Sequence, residues 1–301
     1  MRVLVTGATG FVGPWLAAEL EAAGHDVSRA PGSGSLEITD VDAVHALVSA
    51  TRPDAIAHLA GVSHAADAER DPDRAFEVNE GGTVAVVRAA GAHHPRPAVL
   101  VSGSSEVYGA PSRDDLPLRE DAPLRANQPY GRSKLAQERA ALRLGAELGV
   151  PVVVTRSFNH TGPGQRSTFV APALAQRVLA ARRDGRQDVS VGNLDVERDM
   201  ADVRDVVRAY RLLLGGVVAA RIPSGSVVNV ATGTAISVRS ILAALADIIG
   251  VAIEPRVDAA LVRTDDPPRV VGDPSRLRAW TEWRPIIPIE QTLRDLVATL
   301  D

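Results

Sequence analysis

No cysteine occurs among the 301 residues, which excludes disulfides and thiolate chemistry together. Aromatic residues make up only 3%, so the core has to be built mainly from Ala, Val, Leu and Ile, drawn from a hydrophobic share of 45%. No apolar run approaches the ~18 residues of a membrane span. Basic residues gather into no block and the net charge is −4, whereas a nucleic-acid binder carries a basic face. No His/Cys/carboxylate group has the spacing of metal ligands, and no metal is expected. Repeats, low-complexity tracts and flexible linkers are also missing, so one or two tightly packed domains are expected. Residues 2–6 already read as a core strand, which leaves no room for a signal peptide; a soluble, cytoplasmic protein is expected.

Residues 2–6 form a nearly continuous β-branched run, the pattern of a strand buried on both faces. Gly7, Gly10 and Gly13 follow at once. Pro14 suits a first helical turn, and Phe11, Trp15, Leu16 and Leu20 have the spacing of an amphipathic helix ending near Gly24. In such a strand–turn–helix the first glycine permits the tight turn. The second lets backbone N–H groups approach a pyrophosphate, and the third lets the helix pack closely on the strand. Thr9, Phe11 and Val12 lie in the same turn and count with the glycines as candidate cofactor contacts.

The second strand is expected at 25–29. Its end is where a dinucleotide fold carries an acid for the adenosine ribose; here Ser28 and Arg29 stand instead. A small hydroxyl beside an arginine suits a 2′-phosphate, which favours NADP(H) over NAD(H), the alternative being that Arg29 is simply a surface residue. Glu37 and Ile38 are candidates for the adenine side. The third strand is expected at 54–58. Leu59, Ala60 and Gly61 after it are small enough for the cofactor ribose and diphosphate to pass. His58 and His64 are read as structural.

Helices are expected at 40–50, 72–92 and 130–149, and strands at 98–102 and 151–156. This alternation calls for an α/β fold, a Rossmann-type doubly wound parallel sheet covered on both sides. Past residue 156 the texture changes. Residues 157–165 read as a Gly/Pro loop rather than a strand. Helices near 169–183, 203–215 and 237–249 alternate with short strands near 188–191 and 227–230. Residues 255–273 read as irregular, and a last helix starts near 288. The expected division is a dinucleotide-binding domain of residues 1–156 and a smaller C-terminal α/β lobe of residues 157–301, with the chain free to cross between them. That lobe would close a substrate cleft at the carboxyl ends of the strands.

Tyr130 and Lys134 stand four apart, on one face of a helix. An ammonium close to a phenol favours the phenolate and brings its pKa down from near 10 toward working pH. Upstream, residues 102–106 supply a hydroxyl cluster. A ketone that accepts hydride needs a proton donor within reach of its oxygen, a role Tyr130 can fill, while the Ser104 hydroxyl orients the same oxygen.

Together these residues resemble the extended short-chain dehydrogenase/reductases of the nucleotide-sugar epimerase/dehydratase type, over essentially the full length. The general markers are Gly7-x-x-Gly10-x-x-Gly13, His58-Leu-Ala-Gly61, Asn79, Ser104 and Tyr130-x-x-x-Lys134. The segments 104–109, 156–165 and 192–199 are similar to the branch acting on GDP-mannose derivatives, and 198–205 to its 4-keto reductases. The resemblance implies a GDP-linked sugar substrate, Tyr130 as acid/base, and Lys134 on the nicotinamide ribose. It implies Ser104 on the reacting oxygen, and Ser105 and Asn159 on the substrate. Arg198 and Arg263 are implied as phosphate ligands, their planar forks suiting that task, with Asp266 in the same Arg-x-x-Asp segment. It further implies a homodimer in which the helices at 72–92 and 130–149 pair with their copies, and Ala136, Ala140 and Ala141 would permit close approach. Glu106 aligns with a carboxylate that sister dehydratases use to eliminate water. A 4,6-dehydratase or epimerase with tightly held NAD(P) therefore stays open beside the reductase. A non-catalytic NADP(H)-sensing protein is the third reading, against which the complete Ser/Tyr/Lys set argues.

Overall fold

The computed structural model describes residues 1–262 and 266–300. Six parallel strands make the central sheet: β1 (Arg2–Thr6), β2 (Asp26–Arg29), β3 (Ala55–His58), β4 (Ala98–Ser104), β5 (Val152–Ser157) and, much later in the chain, β9 (Ser226–Val230). Their order is β2-β1-β3-β4-β5-β9. Helices α1 (Val12–Ala22) and α8 (Val203–Val218) pack on one face. Helices α2 (Val41–Thr51), α5 (Gly82–Ala92) and α6 (Pro129–Leu148) pack on the other. With both faces covered, Val3, Leu4 and Val5 are all buried, as are all six residues of β5. The fold is the expected Rossmann-type doubly wound sheet. Strand order reverses between β1 and β3, which opens a crevice at their carboxyl ends.

The expected helix over 72–92 is present with those bounds, as α4 (Pro72–Phe76), a π-helical turn at Glu77–Gly81, and then α5. The turn carries Asn79, whose side chain accepts from the Val62 N–H at 2.8 Å and donates to Ser133 Oγ at 2.9 Å. Ahead of it lies α3 (Ala65–Arg70). Helix α6 starts at Pro129, where the missing N–H costs nothing, and stops at Gly149, whose φ of 65° lies in the left-handed region. Lys134, Gln137, Glu138, Ala141 and Leu144 share its buried face. Three polar side chains on that face must therefore find partners inside the protein.

The second lobe contains β6 (Asn159–Thr161), α7 (Val170–Arg183), β7 (Asp188–Val191), β8 (Glu197–Asp202), β10 (Ala235–Ser237), α9 (Val238–Ile249), β11 (Glu254–Val257), β12 (Arg269–Val270) and α11 (Ile289–Val297), while α10 (Ser275–Thr281) returns to the central sheet and packs Leu277 into its core beside α8. Three expectations need correction. Residues 157–165 are not all loop, because Asn159–Thr161 pairs in parallel with residues 200–202 of β8. Residues 255–273 are not wholly irregular, because β11 pairs with β7 and β12 with β8. Two of the alanines offered for a dimer face, Ala140 and Ala141, are buried within the chain and present no surface to a copy; Ala136 is partly exposed, and the exposed positions of α6 include Arg132, Arg139 and Arg143. Among the described residues no helix is long and apolar enough to cross a membrane.

Candidate active site

At the crevice, Gly7 turns with φ of 68°, and the Gly10 N–H closes the turn on the Gly7 carbonyl at 3.0 Å. A side chain at Gly7 would lie 2.6 Å from the Ala60 nitrogen, and one at Gly13 would lie 2.5 Å from the Gly7 carbonyl oxygen. Backbone therefore meets backbone at both positions, and only glycine fits. No side chain caps the start of α1, so the N–H groups of its first turn stay available to an anion. Thr9, Phe11 and Val12 belong to this turn; Leu59 and Ala60 approach it from the end of β3, and Gly61 lies beside Asn79 and Lys134. A cradle whose atoms exclude every side chain, at a switch point and at a helix N-terminus, fits the pyrophosphate of a nicotinamide dinucleotide.

At the ribose end Ser28 is partly covered and Arg29 is exposed. The Arg29 guanidinium donates twice to Glu21, at 2.7 and 2.9 Å. Glu37 pairs with Arg74, and Ile38 is buried, packed where a side chain on Gly82 would fall.

Ser104 ends β4, with its Oγ accepting from the Glu106 N–H at 3.2 Å. Its hydroxyl hydrogen-bonds the Tyr130 phenol. Lys134, one turn along α6, is buried and donates to the Ser102 carbonyl at 3.1 Å and to Gln137 Oε1 at 2.9 Å. Burial brings the ammonium pKa down to about 8. The phenol behaves otherwise than the sequence suggests. Burial pushes its pKa up; the Ser104 hydrogen bond opposes this, and the Glu106 charge adds to the rise. Two of the lysine's donors are already turned to other acceptors. Tyr130 is thus protonated at neutral pH, the state of a loaded acid. Lys134 is the single lysine of the chain, against 32 arginines. An arginine cannot titrate near pH 8 and is bulkier, so the one lysine side chain gives this buried site a compact, titratable cation.

His58 is neutral: burial, with Lys134 adding, lowers its pKa to about 3. It bonds Thr6 at 2.8 Å and Thr83 at 3.0 Å, as befits a structural residue. His64 meets the Thr168 carbonyl and packs edge-on to Phe169. The His160 ring lies parallel to Phe11 at 6.1 Å, and Trp15 Nε1 donates to the Pro163 carbonyl at 3.2 Å, so the 157–165 segment sits against the cofactor turn. Asn159 is exposed and Ser105 buried. The Arg198 guanidinium is mostly covered, donates to the Glu197 carbonyl at 2.8 Å, and is held by Asp266. Arg263 lies outside the described residues. Among those residues, no three His, Cys, Asp or Glu side chains gather as a metal site.

Sequence reasoning counted Ser102 only as part of a hydroxyl cluster and assigned no role to Gln137, which holds Lys134, to Thr83, which holds Gln137, or to Tyr210, whose hydroxyl lies 2.6 Å from Ser157 Oγ and 3.1 Å from Ser102 Oγ. The Lys134-x-x-Gln137 spacing was a usable signal, because i and i+3 share a helix face.

The description NAD dependent epimerase/dehydratase family matches residues 3–231. GDP-6-deoxy-D-mannose reductase of Pseudomonas aeruginosa is 38% identical over 300 residues, spanning 99% of this chain and 96% of the relative. GDP-6-deoxy-D-talose 4-dehydrogenase of Aggregatibacter actinomycetemcomitans is 29% identical over 280 residues, spanning 92% of this chain and 90% of the relative. The solved structure of RMD from Pseudomonas aeruginosa complexed with NADPH is similar with a TM-score of 0.89 at 36% identity, covering 99% of this chain and 98% of that one.

Proposed function

We propose, since the chain belongs to the NAD dependent epimerase/dehydratase family and is an NAD(P)-dependent oxidoreductase of sugar nucleotides, that it reduces the C4 ketone of a GDP-linked 4-keto-6-deoxyhexose. The substrate of this reading is GDP-4-dehydro-6-deoxy-D-mannose and the product GDP-D-rhamnose. The grouping of Ser104, Tyr130 and Lys134 beside the glycine cradle carries it. A side chain at Gly61 would come within 3.4 Å of Lys134 Nζ, so the catalytic ammonium borders the cofactor crevice itself. Residues 1–156 then hold the dinucleotide and the Ser/Tyr/Lys set, and residues 157–301 mainly hold the nucleotide sugar.

Bound NAD(P)H supplies the hydride. Ser104 orients the ketone oxygen, and the protonated Tyr130 gives that oxygen its proton as negative charge develops. The phenolate left behind lies one helical turn from the Lys134 ammonium. Arg198 meets the diphosphate as a planar donor already oriented by Asp266, with Arg263 as its second cation and Asn159 and Ser105 as neutral contacts. Supplied with GDP-4-keto-6-deoxymannose and NADPH, the protein should oxidise one equivalent of cofactor per sugar reduced. With GDP-mannose and catalytic NADP⁺ it should do nothing. Loss of one water from GDP-mannose, seen by mass spectrometry, would mean that Glu106 works as an acid/base and that the enzyme is the 4,6-dehydratase instead.

NADPH is the preferred cofactor of this reading, with Arg29 opening its pair with Glu21 to take the 2′-phosphate. Arg29→Asp should raise the KM for NADPH by about tenfold, the loss of one charge-assisted contact, and lower that for NADH. Unchanged constants for both cofactors would sink the idea. A homodimer through the outer faces of α5 and α6 belongs to the same reading. Light scattering at micromolar concentration should give twice the chain mass, and a monomer mass would remove it.

A further inference from the structure

Beneath the crevice runs a chain of buried side chains, Thr6, His58, Thr83, Gln137 and Lys134, tied at Thr83 to the backbone carbonyl of Asn79. Donor–acceptor balance assigns every proton in it. The Thr83 hydroxyl donates to the Asn79 carbonyl at 2.8 Å, so its oxygen has only acceptor capacity left. It takes one N–H from Gln137 Nε2 at 3.0 Å and another from His58 Nε2 at 3.0 Å. His58 therefore carries its proton on Nε2, and Nδ1 accepts from the Thr6 hydroxyl at 2.8 Å. With its NH₂ committed to Thr83, the Gln137 amide can present only its oxygen to Lys134, and does so at 2.9 Å.

We propose that Gln137 is a positioning residue for the reaction: its amide, locked by Thr83 and His58, holds the Lys134 ammonium so that two of its N–H groups are spent on protein oxygens and the third is aimed at the cofactor crevice. The proposal rests on the catalytic reading of Lys134 given above. It goes beyond that reading by assigning what orients the lysine. The chain starts at Thr6, the residue before Gly7, so the lysine is anchored to the same strand end as the cofactor turn. A residue lacking the amide oxygen leaves the ammonium one acceptor short in a buried site.

The single lysine makes the test direct. Protein grown with lysine ¹³C-labelled at Cε gives one side-chain signal, whose shift against pH is the titration of Lys134. Of the other ionisable groups nearby, His58 from β3 feels the lysine's charge, Tyr130 lies one turn back on the same helix, and Glu106 after β4 acts on the phenol. Gln137→Met keeps the length and removes the acceptor. Its lysine should titrate about 1 unit lower than wild type, the worth of a hydrogen bond to a charged group. Gln137→Glu places a carboxylate there and should move the titration up by a similar amount. With GDP-4-keto-6-deoxymannose and NADPH at pH 7.5, Gln137→Met should lose about tenfold in kcat, the same hydrogen-bond difference read as a rate, with the KM for NADPH little changed. Should Gln137→Met not fold, Thr83→Val unlocks the amide and should lower the lysine titration in the same direction. Opposite shifts in Met and Glu variants support the proposal. A wild-type titration in both, with or without lower melting temperatures, overturns it and leaves Gln137 a packing residue. Wild-type protein that fails to turn over the ketone defeats the substrate reading alone, because the lysine titration is read without substrate.

Discussion

Tyr130→Phe should cut kcat by about 10²–10⁴-fold, the usual worth of a positioned general acid. NADPH affinity should stay nearly intact. The phenyl ring keeps the packing and only the proton donor is lost. The site's geometry makes this loss hard to bypass. Ser104 hydrogen-bonds the phenol and accepts from the Glu106 N–H, so its hydroxyl has one proton to give, and an ordinary serine hydroxyl is a poor acid. His58 is held neutral by burial and bonded on both ring nitrogens, so it cannot substitute. The pH dependence has a sign as well. The phenol is pushed up by burial and stays protonated as pH rises past neutrality. Lys134, brought down to about 8, loses its charge first. Activity in the reductive direction should therefore fall as pH rises through about 8, with the lysine titrating and not the tyrosine. Retention of more than roughly a tenth of the rate in Tyr130→Phe, outside the range for general acids, would take the acid role from this residue. A rate that held level to pH 10 would take the controlling role from Lys134.

What could be read from the chain alone was decided by whether local pattern and tertiary role agreed. Residues 2–13 agree at every level: a β-branched run, three glycines that backbone contacts demand, and a helix with an apolar stripe. The parallel sheet followed from the same regularity. Strand β8 was passed over because Glu197-Arg-Asp-Met-Ala-Asp202 has no apolar alternation. Its buried polar residues are satisfied from other elements. Asp199 accepts from the backbone N–H groups of Thr232 and Gly233, at 2.8 and 2.9 Å, and Asp202 takes the Thr292 hydroxyl at 2.7 Å. No periodicity argument sees partners 33 or 90 residues away. Ser104, Tyr130 and Lys134 could be grouped from spacing and order, but the direction of the tyrosine's pKa could not. That depends on how much water the fold removes around the phenol and where the lysine's N–H groups are turned, and both are tertiary facts. The Glu21 partner of Arg29 is eight residues away and was equally invisible, because a helix and a strand end must first be packed together.

The largest stability effect belongs to Glu138, one turn past Lys134 on the buried face of α6. Its carboxylate receives Arg156 Nε at 2.9 Å and Nη2 at 2.7 Å, with the two side chains only 5% and 4% exposed. The remaining guanidinium nitrogen, Nη1, donates to the Tyr108 hydroxyl at 3.0 Å and to the Glu120 backbone carbonyl at 2.9 Å. Burial pulls the Arg156 pKa down, while Glu138 and Tyr108 raise it; because a guanidinium is too weak an acid to lose its proton in a protein, Arg156 stays charged when its partner is removed. Glu138→Ala then strands a buried cation, a change that typically costs about 3–5 kcal/mol. With an unfolding entropy of about 2.1 cal/mol/K per residue, that corresponds to a melting temperature lower by roughly 5–8 °C. Pairing the change with Arg156→Met removes the stranded charge and should recover much of the loss, since apolar replacement of a whole buried pair is often near neutral. Activity should respond differently. The pair ties α6, which carries Tyr130 and Lys134, to the strand leading into Asn159, so the double variant should regain stability before it regains rate. A Glu138→Ala protein that melts within about 1 °C of wild type, less than the shift from even 1 kcal/mol, would show that water or a local rearrangement solvates Arg156 and that the pair is not what holds the catalytic helix in place.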